Sequence, residues 1–270
     1  MNVVLSQKYP DVMKYIREKG QVSVCDLADN FYISSATIRR LLNELEEKGL
    51  VRRFHGGVRL TDPLALASVG QRSVLHLAEK RCIGRMASEL VHENMTVMML
   101  GGTTVQALAP FLRGKRITVI TNSVAVLGDL WWEPNIQIIL LGGAFNAEEQ
   151  ETRGALTEHG LSRLRADILF IGVAGVHPQH GLLTNDPNSV GTYLRCKQVS
   201  DRMVALADST KFTRFYGTTT LFQPGEYAEI ITDTHISVGT CDSFRAQGIR
   251  IHLAECSEPV EEELESPHKP

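Results

Sequence analysis

The spacing of hydrophobic positions changes along this chain, and the change divides it. Past Ser34, which stands where a helix N-cap belongs, Ile38, Leu41, Leu42 and Leu45 recur at the i, i+3, i+4, i+7 spacing of a helix with one buried stripe. Two shorter helical patterns precede it and supply the surface that stripe needs. They are Pro10 to Lys19, with Val12, Met13 and Ile16 inward, and Val24 to Phe31, with Leu27, Ala28 and Phe31 inward. After Gly49 the pattern becomes that of strands: Leu50 to Phe54 extends, His55-Gly56-Gly57 turns and Val58 to Leu60 returns. Three helices and a hairpin predict a winged helix-turn-helix.

A different rhythm follows. Thr61 to Gly70 has no period and reads as a linker, and Glu79 to Val91 reads as a helix. From Met95 onward, apolar runs at Thr96 to Leu100, Ile117 to Thr121, Ile136 to Leu141, Ile168 to Val173 and Met203 to Ala207 alternate with helical patterns. That alternation predicts βαβ units and a mainly parallel sheet, with further strands at Thr218 to Phe222, Ile230 to Thr232 and Ile249 to Leu253. The expected organisation is a DNA-binding domain over residues 1–60, a linker over 61–77, a second α/β domain over 78–255 and an acidic, disordered tail over 256–270.

Charge refines the division. Residues 1–60 hold ten Lys or Arg against seven Asp or Glu, a balance of +3 in a chain of −3, so the remainder carries −6. A basic small domain joined to an acidic large one suits a protein whose first part alone meets phosphate. No apolar run approaches a membrane span and the first residues lack the apolar core of a signal peptide, so a soluble, cytoplasmic protein with no membrane partner is expected. Five scattered cysteines without a Cys-x-x-Cys pair read as reduced packing residues, with no disulfide and no metal.

With its leucines turned inward, the helix after Ser34 presents Ser35, Ala36, Thr37, Arg39, Arg40 and Asn43 on its other face. Small and hydroxyl residues at a helix start let the backbone approach the major groove, and adjacent arginines reach a guanine edge or flanking phosphates. Arg52, Arg53 and Arg59 decorate the hairpin, with His55 at its turn, and double-stranded DNA is the expected partner.

In the second domain, chemistry gathers at strand ends. Gly101-Gly102-Thr103-Thr104 follows the first run, Thr121-Asn122-Ser123 ends the second, Gly142-Gly143 the third, and Asp208-Ser209-Thr210-Lys211 the run at Met203 to Ala207. The carboxyl ends of neighbouring parallel strands face one crevice, so these groups would converge on one small ligand. His177 and His180 have ligand-like spacing but no third ligand, and read as loop residues. Trp131-Trp132 reads as packing and Glu148-Glu149 as solvated surface.

The order Gly20-Gln21-Val22-Ser23-Val24, Leu27-Ala28, Ser35, Thr37-Ile38-Arg39-Arg40, Leu45-Glu46, Gly49, Arg53 and His55-Gly56-Gly57 resembles the DeoR family of bacterial transcription regulators. From about Arg72 to Asp233 the chain also resembles that family's sensor domain, which implies a ribose-5-phosphate isomerase-like fold binding phosphorylated sugars or related metabolites. The resemblance implies phosphate and hydroxyl recognition by Gly102, Thr103, Thr104, Thr121, Asn122, Ser123 and Lys211, with Gly142 and Gly143 admitting the ligand to the backbone. It departs at Leu41, Leu100 and Ala174, each where family members often carry an aspartate, and in the helix near Asn188 to Ser200, where a Glu and Lys pair is missing and Arg195 or Lys197 would stand in.

The function this implies is a repressor of a carbohydrate-metabolism operon, at least a dimer and either dimeric or tetrameric, responding to a phosphorylated sugar-like effector and using no cofactor. Two other readings are a DNA-binding protein whose sensor fold only oligomerises, and an isomerase-like enzyme. The enzyme needs a base in the crevice, and with Ala174 in place of an acid only Asp208 is left.

Overall fold

In the computed structural model, residues 11–12, 15–16, 19, 21–47, 51–54, 57–60, 69–212 and 217–256 are described. Contacts divide the chain into two compact units, Met1–Ala67 and Ser68–Pro270.

In the first unit, the Val24–Phe31 helix starts at a capping box: Asp26 N–H donates to Ser23 Oγ at 3.0 Å, and Ser23 N–H to the Asp26 carboxylate at 3.2 Å. Tyr32 ends that helix in the left-handed region at φ 52°. Ser34 then caps the Ser35–Glu47 helix by accepting from Thr37 N–H at 3.3 Å. Ile38, Leu41, Leu42 and Leu45 are buried against Leu27, Ala28, Val12 and Ile16, so Leu41 is a core residue. Strands β1 (Gln21–Val22), β2 (Val51–Phe54) and β3 (Gly57–Leu60) form an antiparallel sheet in the order β1-β3-β2, with Val22, Val51 and Val58 closing the core. This is a winged helix-turn-helix. The expected helix end at Gly49 and the turn at His55 and Gly56 lie outside the described residues.

The second unit is built on a parallel sheet. Its strands are β4 (Thr96–Met99), β5 (Ile117–Thr121), β6 (Ile136–Leu140), β9 (Ala166–Gly172), β12 (Ser200–Leu206), β14 (Glu229–Asp233) and β15 (Arg250–Ala254), in the order β15-β14-β12-β9-β4-β5-β6. Successive side chains alternate between two buried faces: Met98, Leu169 and Ile171 enter one cluster, Val97, Met99, Ile168 and Phe170 the other. Burial on both faces is why these strands read as continuous apolar runs. The strand order reverses between β4 and β9, the topological switch point where doubly wound sheets hold their ligands.

Two antiparallel additions surround that point. The pair β7 (Ala144–Asn146) and β8 (Glu151–Arg153) lies over the end of β5, where Thr152 N–H donates to Asn122 O at 2.9 Å and Val124 N–H to Gln150 O at 2.9 Å. Strands β10 (Gly175–His177), β11 (Gly181–Thr184) and β13 (Thr219–Phe222) form a small separate sheet.

Two expectations need correction. Cys82, on the Leu77–Ser88 helix, and Cys256, just past β15, form a disulfide with Cα atoms 5.5 Å apart, whereas Cys25, Cys196 and Cys241 are free. The two sulfurs are 174 residues apart in sequence and meet only because the edge strand returns beneath that helix. Trp131 and Trp132 are 59% and 71% exposed, at the C-terminal end of the Val124–Leu130 helix, with rings in tilted contact at 4.3 Å between centroids and not in a core.

Candidate DNA-binding face and effector crevice

The Ser35–Glu47 helix separates its residues as its periodicity demands. Ala36, Arg39, Arg40 and Asn43 are exposed, Ser35 and Thr37 half-buried, and the leucine stripe is fully covered. Arg39 and Arg40 make no ion pair among the described residues. Asn43 and Arg53 are joined: Arg53 Nη1 donates to Asn43 Oδ1 at 2.6 Å, and Arg53 N–H donates to Glu46 Oε1 at 3.0 Å. These bonds latch strand β2 to the helix and couple two residues that the sequence offered as separate contacts. The position of His55 and the side chain of Arg52 lie outside the described residues.

In the second unit the predicted residues fall into two groups. Thr121, Asn122 and Ser123 are buried and already engaged. Thr121 Oγ1 donates to Met99 O at 2.6 Å and accepts from Ser123 N–H at 3.0 Å. Asn122 accepts from Gly101 N–H at 3.1 Å and donates to Thr152 O at 2.9 Å, and Ser123 Oγ caps the Val124–Leu130 helix by accepting from Val126 N–H at 3.3 Å. These three side chains stitch β4, β5 and β8 together at the floor of the crevice. Gly143 serves packing in the same way, since a Cβ there would lie 2.1 Å from Thr157 Oγ1.

Gly102 and Thr103 are half-buried and Thr104 is buried, on the turn leaving β4. Gly102 has φ +119°, and a Cβ on it would reach Gly172 Cα at 3.4 Å, so the backbones leaving β4 and β9 meet closely at the switch point. Gly142 is exposed. Lys211 is half-buried in the turn after β12, its N–H donating to Asp208 O at 2.9 Å. Asp208 is itself buried, accepting from the backbone N–H and the hydroxyl of Thr210. Arg195 bonds Gln198 at 3.0 Å and Lys197 lies 5.2 Å from the Phe222 ring.

Sequence reasoning missed four residues here. Lys80 is buried, and burial lowers its pKa to about 8 against the pull of Asp208; its ammonium donates to Arg72 O at 2.5 Å and Leu75 O at 2.7 Å, within the field of Lys211. Arg72 pairs with Glu149 at 2.5 Å, so Glu149, whose side chain stays 37% exposed, is a surface acid held in an ion pair. Glu151 is 5% exposed, and burial together with Glu149 raises its pKa to about 7. Tyr193 is buried within the field of Glu151, and burial pushes its phenol well above the ordinary range. Nothing in sequence spacing marks these positions: Glu151 stands in an acidic run that looks solvated, and Lys80 on a mixed-charge helix.

His177 Nδ1 accepts from Gln179 N–H at 3.1 Å and His180 N–H at 3.3 Å, which shapes a loop. Among the described residues no helix is long and apolar enough to cross a membrane.

Residues 11–63 match the family described as DeoR-like helix-turn-helix domain, and residues 75–234 match DeoR C terminal sensor domain. The glycerol-3-phosphate regulon repressor of Escherichia coli (strain K12) is 27% identical over 249 residues, 87% of this chain and 99% of its own. The L-fucose operon activator of Haemophilus influenzae is 29% identical over 222 residues, 82% of this chain and 88% of its own. Among solved structures, ribose 5 phosphate isomerase A from Neisseria gonorrhoeae is 18% identical with a TM-score of 0.37, covering 50% of this chain and 53% of its own.

Proposed function

The chain belongs to the DeoR family of DNA-binding transcriptional regulators, and we propose that it represses a carbohydrate-metabolism operon and is released by a phosphorylated sugar bound at the β4–β9 switch point. It is a regulator and not an enzyme, as its relatives are. One observation carries the DNA half: a fully buried leucine stripe turns Ala36, Arg39, Arg40 and Asn43 outward on one helix face. Ser35, Thr37, Arg52, Arg53 and His55 complete the proposed operator surface. One winged helix grips a half-site modestly, so the active form is at least a dimer on repeated half-sites.

For the effector, the backbone of Gly102 to Thr104 and the ammonium of Lys211 supply donors for phosphate, and Gly142 is open to a ligand. Thr121, Asn122, Ser123 and Gly143 act by holding the crevice in shape, given the bonds and packing they already make. That same engagement favours the second reading, in which the α/β unit only assembles subunits.

Thermal unfolding of the full chain with phosphorylated sugars and their unphosphorylated counterparts separates the two. A ligand that binds only the folded state raises the unfolding free energy, by about 2.7 kcal/mol at a hundredfold excess over Kd. A phosphate-dependent rise is expected; no rise with any sugar phosphate would leave the assembly reading.

A further inference from the structure

Glu151 is costly where it stands. The residue is 5% exposed, and among the described residues its carboxyl's one hydrogen bond is a long one, 3.3 Å from Asn122 Nδ2 to Oε2. Oε1 makes no hydrogen bond among the described residues and is not among the fully buried unsatisfied atoms, so it keeps an opening to solvent through which a ligand can donate to it. Arg72 Nε, in the same charged cluster, is fully buried and unsatisfied. The acid also occupies a defined place: a Cβ on Gly101 would lie 2.1 Å from Glu151 Oε2, so the carboxyl sits directly on the backbone leaving β4. Asn122 alone would be served as well by a neutral amide or hydroxyl at position 151, without the cost of burying an acid.

The surroundings divide by sign. Around Glu151 lie Glu149, Tyr193 and Cys196, with Arg72 and Arg153 as the nearby cations, Arg72 held by Glu149 and Arg153 by Asp186. Lys80 and Lys211 lie together beside Asp208. A phosphate would be repelled by the first group and attracted by the second, whereas a hydroxyl can donate to a carboxylate or accept from a carboxylic acid.

We propose that Glu151 binds a hydroxyl of the effector, and that the crevice takes a polyol phosphate lying with its hydroxylated end on Glu151 and its phosphate toward Lys211. This rests on the reading of the switch point as the effector site. The ligand class is thereby narrowed to phosphates that carry free hydroxyls at the far end, and inorganic phosphate fills only half the site.

The test uses the full chain, wild type and Glu151→Gln, titrated calorimetrically with inorganic phosphate, glycerol 3-phosphate, ribose 5-phosphate, glucose 6-phosphate and fructose 6-phosphate. The expected result is that Glu151→Gln weakens the tightest sugar or polyol phosphate by about tenfold or more, the effect of losing one hydrogen bond to a charged group. Inorganic phosphate should bind the variant equally or more tightly, since a repulsive charge is gone. Arg72→Lys, which keeps the charge but loses the guanidinium, gives an independent reading and should weaken the same ligand without weakening inorganic phosphate. If wild type binds an organic phosphate and Glu151→Gln leaves its affinity unchanged, or weakens it and inorganic phosphate alike, the role of Glu151 is overturned and the crevice reading survives. If wild type binds none of the organic phosphates, the crevice reading falls and this proposal with it.

Discussion

At position 151, burial and the neighbouring Glu149 carboxylate hold an acid near pH 7 that would ordinarily titrate at 4.5. Its folded pKa is raised, so the stability of the protonated form is fully present below the unfolded pKa and is lost as pH rises from about 4.5 to about 7. Two and a half pKa units correspond to about 3 kcal/mol. Glu151→Gln should therefore stabilise the protein by up to that amount at about pH 8 and by little at about pH 4.5, read by urea unfolding across the range. A difference between variant and parent that does not change with pH would contradict the assigned environment. On the DNA side, Arg39→Ala or Arg40→Ala should cost about 1–3 kcal/mol in operator binding if that arginine reads a base. Both variants binding as tightly as wild type would remove the proposed face. Residues of this second kind were legible from sequence because one helical period fixes both the buried stripe and its opposite side. Glu151, Lys80 and Arg72 were not, since their chemistry comes from partners on other elements.

Elements were legible in proportion to their regularity. The run at Ile117 to Thr121 is a strand with the expected bounds, because strands buried on both faces spell themselves as apolar runs. The run at Ile136 to Leu141 is a strand within a residue of its bounds, although Gln137 and Leu140 are exposed at the sheet edge. The hairpin of β7 and β8 was missed: each strand has three residues, and Ala144 and Phe145 are both exposed. Yet that hairpin delivers Glu151 to the crevice. Helix packing offers a sharp check at Gly84, where a Cβ would lie 2.4 Å from the backbone oxygen of Ala107, so the Leu77–Ser88 helix touches the backbone at the end of the short Thr103–Gln106 helix with no room for a side chain. Gly84→Ala is expected to destabilise by about 1–3 kcal/mol through overpacking, despite the better helix propensity of alanine. A variant as stable as wild type in thermal unfolding would show that this contact yields. In the wing, a double-mutant cycle of Asn43→Ala and Arg53→Ala should show coupling of about 0.5–1 kcal/mol in stability, as an exposed charged hydrogen bond allows. Strict additivity would mean that the latch contributes nothing.

Across the whole molecule, the charge division and the change of hydrophobic spacing separate the helix-turn-helix unit from the unit that matches the family's sensor domain. Regulation requires that the effector bind one state better than the other, and the coupling is reciprocal: whatever factor the effector imposes on operator affinity, operator DNA imposes on effector affinity. The most direct measurement is fluorescence anisotropy of the full chain on DNA from upstream of its own gene, with and without the phosphorylated sugars. The expected result is specific binding that at least one sugar phosphate weakens by about 5- to 150-fold, a typical allosteric coupling, while its unphosphorylated form has no effect. Specific binding unchanged by every phosphorylated sugar would contradict the effector-released repressor proposed for this chain.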